Sequence, residues 1–303
     1  MTGKKNTAPT ELSSLRTQID AIDDRIMELL LQRIAVVKQV GEYKKNSKNT
    51  SCPIRSGREA EMLRRIAAKF CTSDFPAAAA TSIWRIIIGA STGLEAEMTL
   101  SVLSTENEDN VYWLAREYFG SHSTIIKQPH VNRVVGDVVD GKAAVGIVPF
   151  PRGADANQWW VVLLQQGENA PKIFAHIPFV YNYLDTQTKN TQSKALPAAL
   201  AFAKLTPEES GDDMSMLVIE ADANVSQSRL QTAFQAAKLE VTWLDIASIT
   251  SDSRHHFVEI KGFISERHEV FTSAIATLGA AVLKTHFIGA YATPITIDKA
   301  KQN

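Results

Sequence analysis

Cysteine is nearly absent: Cys52 and Cys71 are the two in 303 residues. Two isolated thiols frame neither a disulfide scaffold nor a zinc site. No segment approaches 18 continuous apolar residues, so the pattern predicts no membrane span and no membrane partner. A glycine-rich phosphate loop, a metal-ligand cluster and a nucleophile with a paired base are all missing, and no cofactor or metal is expected. Nor is there a basic block interleaved with stacking aromatics, so no nucleic-acid partner is expected. Residues 1–10 are polar and basic with no apolar stretch behind them, which predicts neither a signal peptide nor a lipid anchor. The expected location is the cytoplasm.

What is present is unevenly charged. The whole chain has 32 Lys and Arg against 33 Asp and Glu. Residues 1–95 hold 15 of the basic and 10 of the acidic residues, leaving 17 and 23 for the remainder. That asymmetry favours an anionic ligand near the N-terminal third. A composition of 45% hydrophobic and 21% charged residues fits a soluble globular chain, and its length allows two or three domains.

Leu12, Leu15, Ile19, Ile22, Ile26, Leu29, Leu30, Val36, Val37 and Val40 recur three and four residues apart, the signature of a helix with one buried face. Thr10 is the expected N-cap and Lys45 the approximate end. Such a helix spans roughly 50 Å, too long for the short helices after it to cover, which argues for a partner chain. Arg33 interrupts the stripe and Lys44 continues it. An ionised group there must meet an anion or snorkel to solvent. A second helix is expected over 56–70, with Met62, Leu63, Ile66 and Phe70 inward. A third begins at Ser73 and Asp74 and buries Ile83, Trp84, Ile87, Ile88 and Leu94. Gly89 and Gly93 weaken that helix by about 1 kcal/mol each, or else admit another backbone or a ligand.

After Ala96 the pattern alternates between strand and helix. Strands are expected at 98–103, 143–149 and 173–180, and helices at 110–119, 131–139 and 159–166. Residues 185–193 read as a loop, 195–203 are ambiguous and 208–213 form a junction. From Met214 the order is strand 214–221, helix 226–238, strands 241–249 and 254–263, helix 269–278 and strand 282–290. This βαββαβ order predicts a ferredoxin-like sandwich. The expected fold is therefore multidomain: an all-α, intertwined helical domain (10–95), a small α/β domain (96–213) and a ferredoxin-like βαββαβ domain (214–292).

Each N-terminal helix also carries polar residues on its inward side: Arg33 and Lys44, then Glu59, then Ser91 and Glu95. Singly, Glu59 reads as a helix N-terminal acid favoured by the dipole and Glu95 as a terminal solvent-facing residue. Together they would make one pocket of cations, carboxyl groups and a hydroxyl, walled by aliphatics and fit for a small organic dianion. Such a site positions its ligand and complements its charge.

The stretches "LSSLRTQIDAIDDRIMELLLQRIAVVKQVGEYK", "PIRSGREAEMLRRI" and "IWRIIIGASTGLE" resemble the three helices of the all-helical chorismate mutases, over residues 10–95. The resemblance implies an intramolecular Claisen rearrangement of chorismate to prephenate, without cofactor, in a homodimer. It implies that Arg16 reaches into the partner's site and binds a carboxylate, and that Arg33 clamps a carboxylate in its own protomer. Lys44 would bind the ether oxygen, and Arg58 with Glu59 would form the pair in which the glutamate holds the ring hydroxyl. Ser91 would stand near a carboxylate, and Glu95 would donate to the ether oxygen. Donation requires the protonated acid, so turnover is expected to weaken as pH rises. Arg55 stands where some relatives have Asp: if that position contributes through its backbone N–H, function survives, and if the carboxylate matters, hydroxyl binding weakens.

"YWLAREYFG" and "VVDGKAAVGIVPF" resemble the first half of a prephenate dehydratase domain. The Gly-Pro-x-Gly-Ser-Tyr, Pro-Ile-Glu-Asn-Ser and Thr-Arg-Phe stretches of that family are not there; "MTLSVLSTENEDN", "PFPRGAD" and Met214–Met216 stand in their places. A degenerate dehydratase-like domain is the expectation. Residues 214–291 resemble an ACT regulatory domain in element order, without its phenylalanine-binding motifs. His122, His130 and His176 read as ordinary surface or core residues. The alternatives are a bifunctional mutase–dehydratase and a non-enzymatic metabolite sensor.

Overall fold

A computed structural model describes residues 8–46, 53–104, 109–151, 158–182, 197–249 and 251–297. Contacts divide the chain into two units, Met1–Ser51 and Cys52–Asn303.

The first unit contributes one helix, α1 (Ala8–Asn46), 39 residues and about 58 Å long. Pro9 sits in its first turn, where a missing N–H costs nothing, and no glycine interrupts it before Gly41. The helix begins before Thr10, so that residue lies inside it rather than capping it. Its apolar stripe is open: Leu15 is 56% exposed, Ile22 55% and Leu29 61%. The expected buried face is therefore apolar in pattern yet uncovered in the single chain. Leu30, Arg33, Ile34, Val37 and Gly41 form its least exposed band among the described side chains.

The second unit opens with α2 (Ser56–Phe70) and α3 (Ala77–Glu95), which pack on each other. In α2 the spacing of Glu59, Ala60, Leu63 and Ile66 fixes the buried face. Helix α3 starts after Pro76, three residues later than Ser73–Asp74 suggested; the Ser73 hydroxyl instead closes a turn onto the carbonyls of Phe70 and Phe75. Ile83 and Leu94, expected inside, are 44% and 53% exposed, because α3 turns its Ala77, Thr81, Ile88 and Ser91 face inward. By length and composition α3 is apolar enough to cross a membrane. Here it packs on α2 and shares a core with the strands, and it carries a charged Arg85 at mid-length.

The α/β part follows in the order β1 (Thr99–Leu103), α4 (Asn110–Phe119), β2 (Thr124–Gln128), α5 (Val131–Val139), β3 (Val145–Pro149), α6 (Trp159–Leu164), β4 (Lys172–Ile177), β5 (Val180–Asn182) and β6 (Ala199–Ala203). Then come β7 (Asp213–Asp222), α7 (Gln227–Ala236), β8 (Val241–Ala247), β9 (Ser253–Lys261), α8 (Glu269–Leu278), β10 (Val282–Ala292) and β11 (Ile295–Ile297). Among the described residues nine strands form one sheet, in the order β2-β1-β3-β6-β4-β10-β7-β9-β8. The first three pair in parallel, as βα units require, and β10-β7-β9-β8 pair antiparallel. The two halves meet where β10 touches β4 at Gly289 and Ile173. A Cβ at Gly289 would lie 2.2 Å from the Ile173 carbonyl oxygen, so the close approach requires glycine.

Residues 185–193 and the opening of 195–203 lie outside the described residues, as does most of the polar break before Pro53. The rest of the ambiguous stretch is strand β6, and β2 and β5 are strands that the sequence pattern did not separate. Helices α2, α3 and α4 share one core with the strands, in which Leu63, Ile88, Phe119 and Phe174 meet. Trp159, Trp160, Phe202 and Phe257 fill a second core, and Leu230, Phe234 and Phe271 a third between α7, α8 and the sheet.

Candidate active site

On α1, Arg16 is exposed and Arg33 half-buried. They stand 17 residues apart, or about 25 Å along the axis, so one straight helix does not bring both to one small ligand. Lys44 belongs to the last turns of α1, and its side chain lies outside the described residues.

Helix α2 places the other predicted residues within the second unit. Arg55 holds the N-cap position, exposed, and its guanidinium pairs with Glu208. Arg58 is exposed. Glu59, one residue on, faces inward and is 9% exposed. Its Oε2 accepts from Arg85 Nη2 at 2.7 Å, and both side chains are almost buried. Arg85 Nε donates to the Tyr118 carbonyl at 3.0 Å, and the guanidinium carbon stands 4.0 Å from the Tyr118 ring centroid. Burial works to lower the Arg85 pKa, but Tyr118 and Glu59 outweigh it and hold the value above ordinary arginine. The cation is therefore fixed. Burial pushes the pKa of the Tyr118 phenol up.

On α3, Ser91 is buried and its hydroxyl donates to the Ile87 carbonyl at 2.7 Å. Glu95, one turn further on the same face, is the last residue of the helix and half-buried. Helices α2 and α3 thus hold an inward acid, a buried hydroxyl and a second carboxyl group on paired elements. The base of α2 is anchored to the segment before β7: Arg64 donates to the carbonyls of Ser210 at 2.8 Å and Asp212 at 2.6 Å. A Cβ at Gly57 would lie 2.6 Å from the Glu209 carbonyl oxygen.

Arg85 and Tyr118 were missed in the sequence. The signal was there, since Arg85 interrupts "IWRIIIGAS" as Arg33 interrupts α1. His176 is buried against the rings of Phe150 and Tyr291, whereas His122 and His130 are exposed. Among the described residues no group of three His, Cys, Asp or Glu side chains is arranged to hold a metal.

Residues 15–96 match the family model described as chorismate mutase type II. The chain therefore carries a chorismate-mutase domain. A particular relative reaches further: the bifunctional chorismate mutase/prephenate dehydratase of Aquifex aeolicus (strain VF5) is 30% identical over 140 residues. The match takes in 46% of this chain and 38% of that relative's length. Among solved structures, one titled as GqqA, a novel type of quorum quenching acylase, has a TM-score of 0.49 at 10% identity, covering 65% of this chain and 96% of its own. The prephenate dehydratase of Streptococcus mutans has a TM-score of 0.47 at 11% identity, covering 66% and 99%. Both are loose likenesses.

Proposed function

We propose that this chain rearranges chorismate to prephenate. The observation that carries the proposal is the family match over 15–96, which encloses Arg16, Arg33, Lys44, Arg58, Glu59, Ser91 and Glu95. The reaction needs no proton transfer: one C–O bond breaks as one C–C bond forms within the same molecule. What a protein supplies is a folded substrate and stabilisation of negative charge on the ether oxygen. Arg33 clamps one carboxylate through its planar fork, and Arg16 from a second protomer takes the other. The 25 Å between them along α1 supports a homodimer, as does the open apolar stripe. Lys44 donates to the ether oxygen, where charge develops, with Glu95 beside it, and Glu59 holds the ring hydroxyl with Arg85 fixing its carboxylate.

A second reading keeps the mutase and adds dehydratase activity. The comparison favours it: the match to the bifunctional relative runs over 140 residues and the mutase model over residues 15–96, so resemblance continues into the α/β part. The residues weigh against it, since the Thr-Arg-Phe stretch is absent. We assign 96–213 as a dehydratase-like domain and 214–292 as an ACT-like domain. The strand order β10-β7-β9-β8, with α7 and α8 sharing a core on one face, supports a ferredoxin-like sandwich.

Feeding the purified protein chorismate and, separately, prephenate distinguishes the readings. Prephenate accumulating from chorismate supports the mutase, and enzymatic phenylpyruvate from prephenate adds the second activity. No turnover of either, with chorismate still bound, would make the chain a sensor.

A further inference from the structure

Between α3, the end of α4 and the turn joining β4 to β5 lies a cavity of about 320 Å³. Arg58, Glu59, Ser91 and Glu95 are not part of its lining. Leu63, Ile86, Leu114 and Phe179 line it together with the polar Thr81, Ser82, Ser121 and His122, and Arg85 and Arg116 supply two cations. A mixed apolar and polar lining, at a volume near the lower end of roughly 300–1,000 Å³, is large enough for a small-molecule site.

The cations have capacity to spare. Arg85 Nη1 is buried and finds no acceptor among the described residues. A buried donor left unpaired costs about 1–3 kcal/mol; with no open surface of its own, Nη1 meets a ligand oxygen only when the guanidinium shifts towards the cavity. Among the described residues Arg116 makes only long bonds, to the Tyr112 hydroxyl at 3.2 Å and the Ser121 carbonyl at 3.4 Å. The positive charge is limited, however, by Glu59 on Arg85 and by the exposed Glu117 at the rim. One carboxylate suits that balance better than two.

We propose that this cavity is a second small-molecule site, which takes a flat aromatic monocarboxylate. The carboxylate lies on Arg85 and Arg116, and the ring lies between Leu63, Leu114 and Phe179. The geometry asks for a rigid anion, because flexible chains lose rotamer freedom in so confined a space.

The probe is 2-naphthoate, titrated calorimetrically into the full chain, with 2-naphthamide as its neutral counterpart. The expected result is one site per chain, with the amide about tenfold or more weaker, since it lacks the charge that Arg85 and Arg116 meet. Arg116→Gln should weaken 2-naphthoate by about tenfold, and Ala78→Phe, which fills the cavity from the first turn of α3, should abolish binding. Neither variant replaces a member of the Glu59–Arg85 pair, so both avoid the folding risk of Arg85→Met. Arg33→Ala should bind 2-naphthoate as the wild type does. The proposal is overturned by no saturable binding, by equal affinity for the amide, or by binding that survives Ala78→Phe. Binding lost in Arg33→Ala would also overturn it, because the ligand would then sit in the mutase site.

Discussion

Helices α1 and α5 carry the same pattern in sequence and meet opposite fates. Val134, Val135 and Val138 of α5 are buried in the core of Trp160 and Phe202, whereas Leu15, Ile19 and Ile22 of α1 are each more than half exposed. Periodicity reports which face requires cover and is silent on what covers it. In α5 the cover is the same chain. In α1 the single chain leaves the stripe open, and the proposed site would have it covered by a second protomer.

Substitutions on the two sides sharpen that contrast. Trp160→Ala should lower the unfolding free energy by about 3–5 kcal/mol, as read by denaturant titration. Ile22→Ala should cost far less in dilute protein and more as concentration rises, because its cover arrives by association. Equal and concentration-independent losses at both positions would break the comparison. Arg33→Ala should reduce kcat/KM for chorismate by about 10²–10³-fold while leaving the unfolding transition of Cys52–Asn303 in place. A loss confined to KM, with kcat intact, would mean that Arg33 binds ground and transition state alike.

A third effect belongs to the buried unit. His256 is buried beside Trp243, with neither ring nitrogen partnered among the described residues. Burial first, then Arg254 and His255, lower its pKa from 6.5 to about 4. The folded state thus holds the neutral ring while the unfolded chain takes up a proton. The stability it contributes is full above pH 6.5 and is lost as pH falls towards 4. At about 1.4 kcal/mol per pH unit the loss approaches roughly 3 kcal/mol. Urea titrations at pH 7.5 and 4.5 should show a steeper drop for the wild type than for His256→Leu. Parallel drops would remove His256 from the account.

The smallest effect is at Gly89, where a Cβ would stand 2.7 Å from the Phe119 carbonyl oxygen. Gly89→Ala should therefore destabilise by about 1–3 kcal/mol, although alanine is the better helix former. Stabilisation would show that α3 and α4 can separate freely.

How much was legible follows from the same physics. Helices α2, α4, α5 and α8 were readable to the residue because each buries one stripe against its own chain. Strand β6 was ambiguous since "ALAFA", with every residue buried, has neither helical nor alternating periodicity. Strand β2 was missed because "TIIKQ" is a short, half-exposed edge strand. The joining of two strand groups through Gly289 and Ile173 left no local signal at all. At the candidate site, Arg33, Glu59, Ser91 and Glu95 were visible as polar residues on apolar faces. Arg85 carried the same mark and was passed over, and Tyr118 looked like any core aromatic until the guanidinium was placed on its ring.

The most direct test measures chorismate turnover by wild type, by Arg16→Ala, by Arg33→Ala, and by the two variants refolded together. The account predicts an active wild type and two nearly inactive variants. Their equal mixture should recover about a quarter of the wild-type rate, because half the dimers would be mixed and each would hold one intact site. A mixture no more active than its parts, or a wild type that leaves chorismate unchanged, would contradict it.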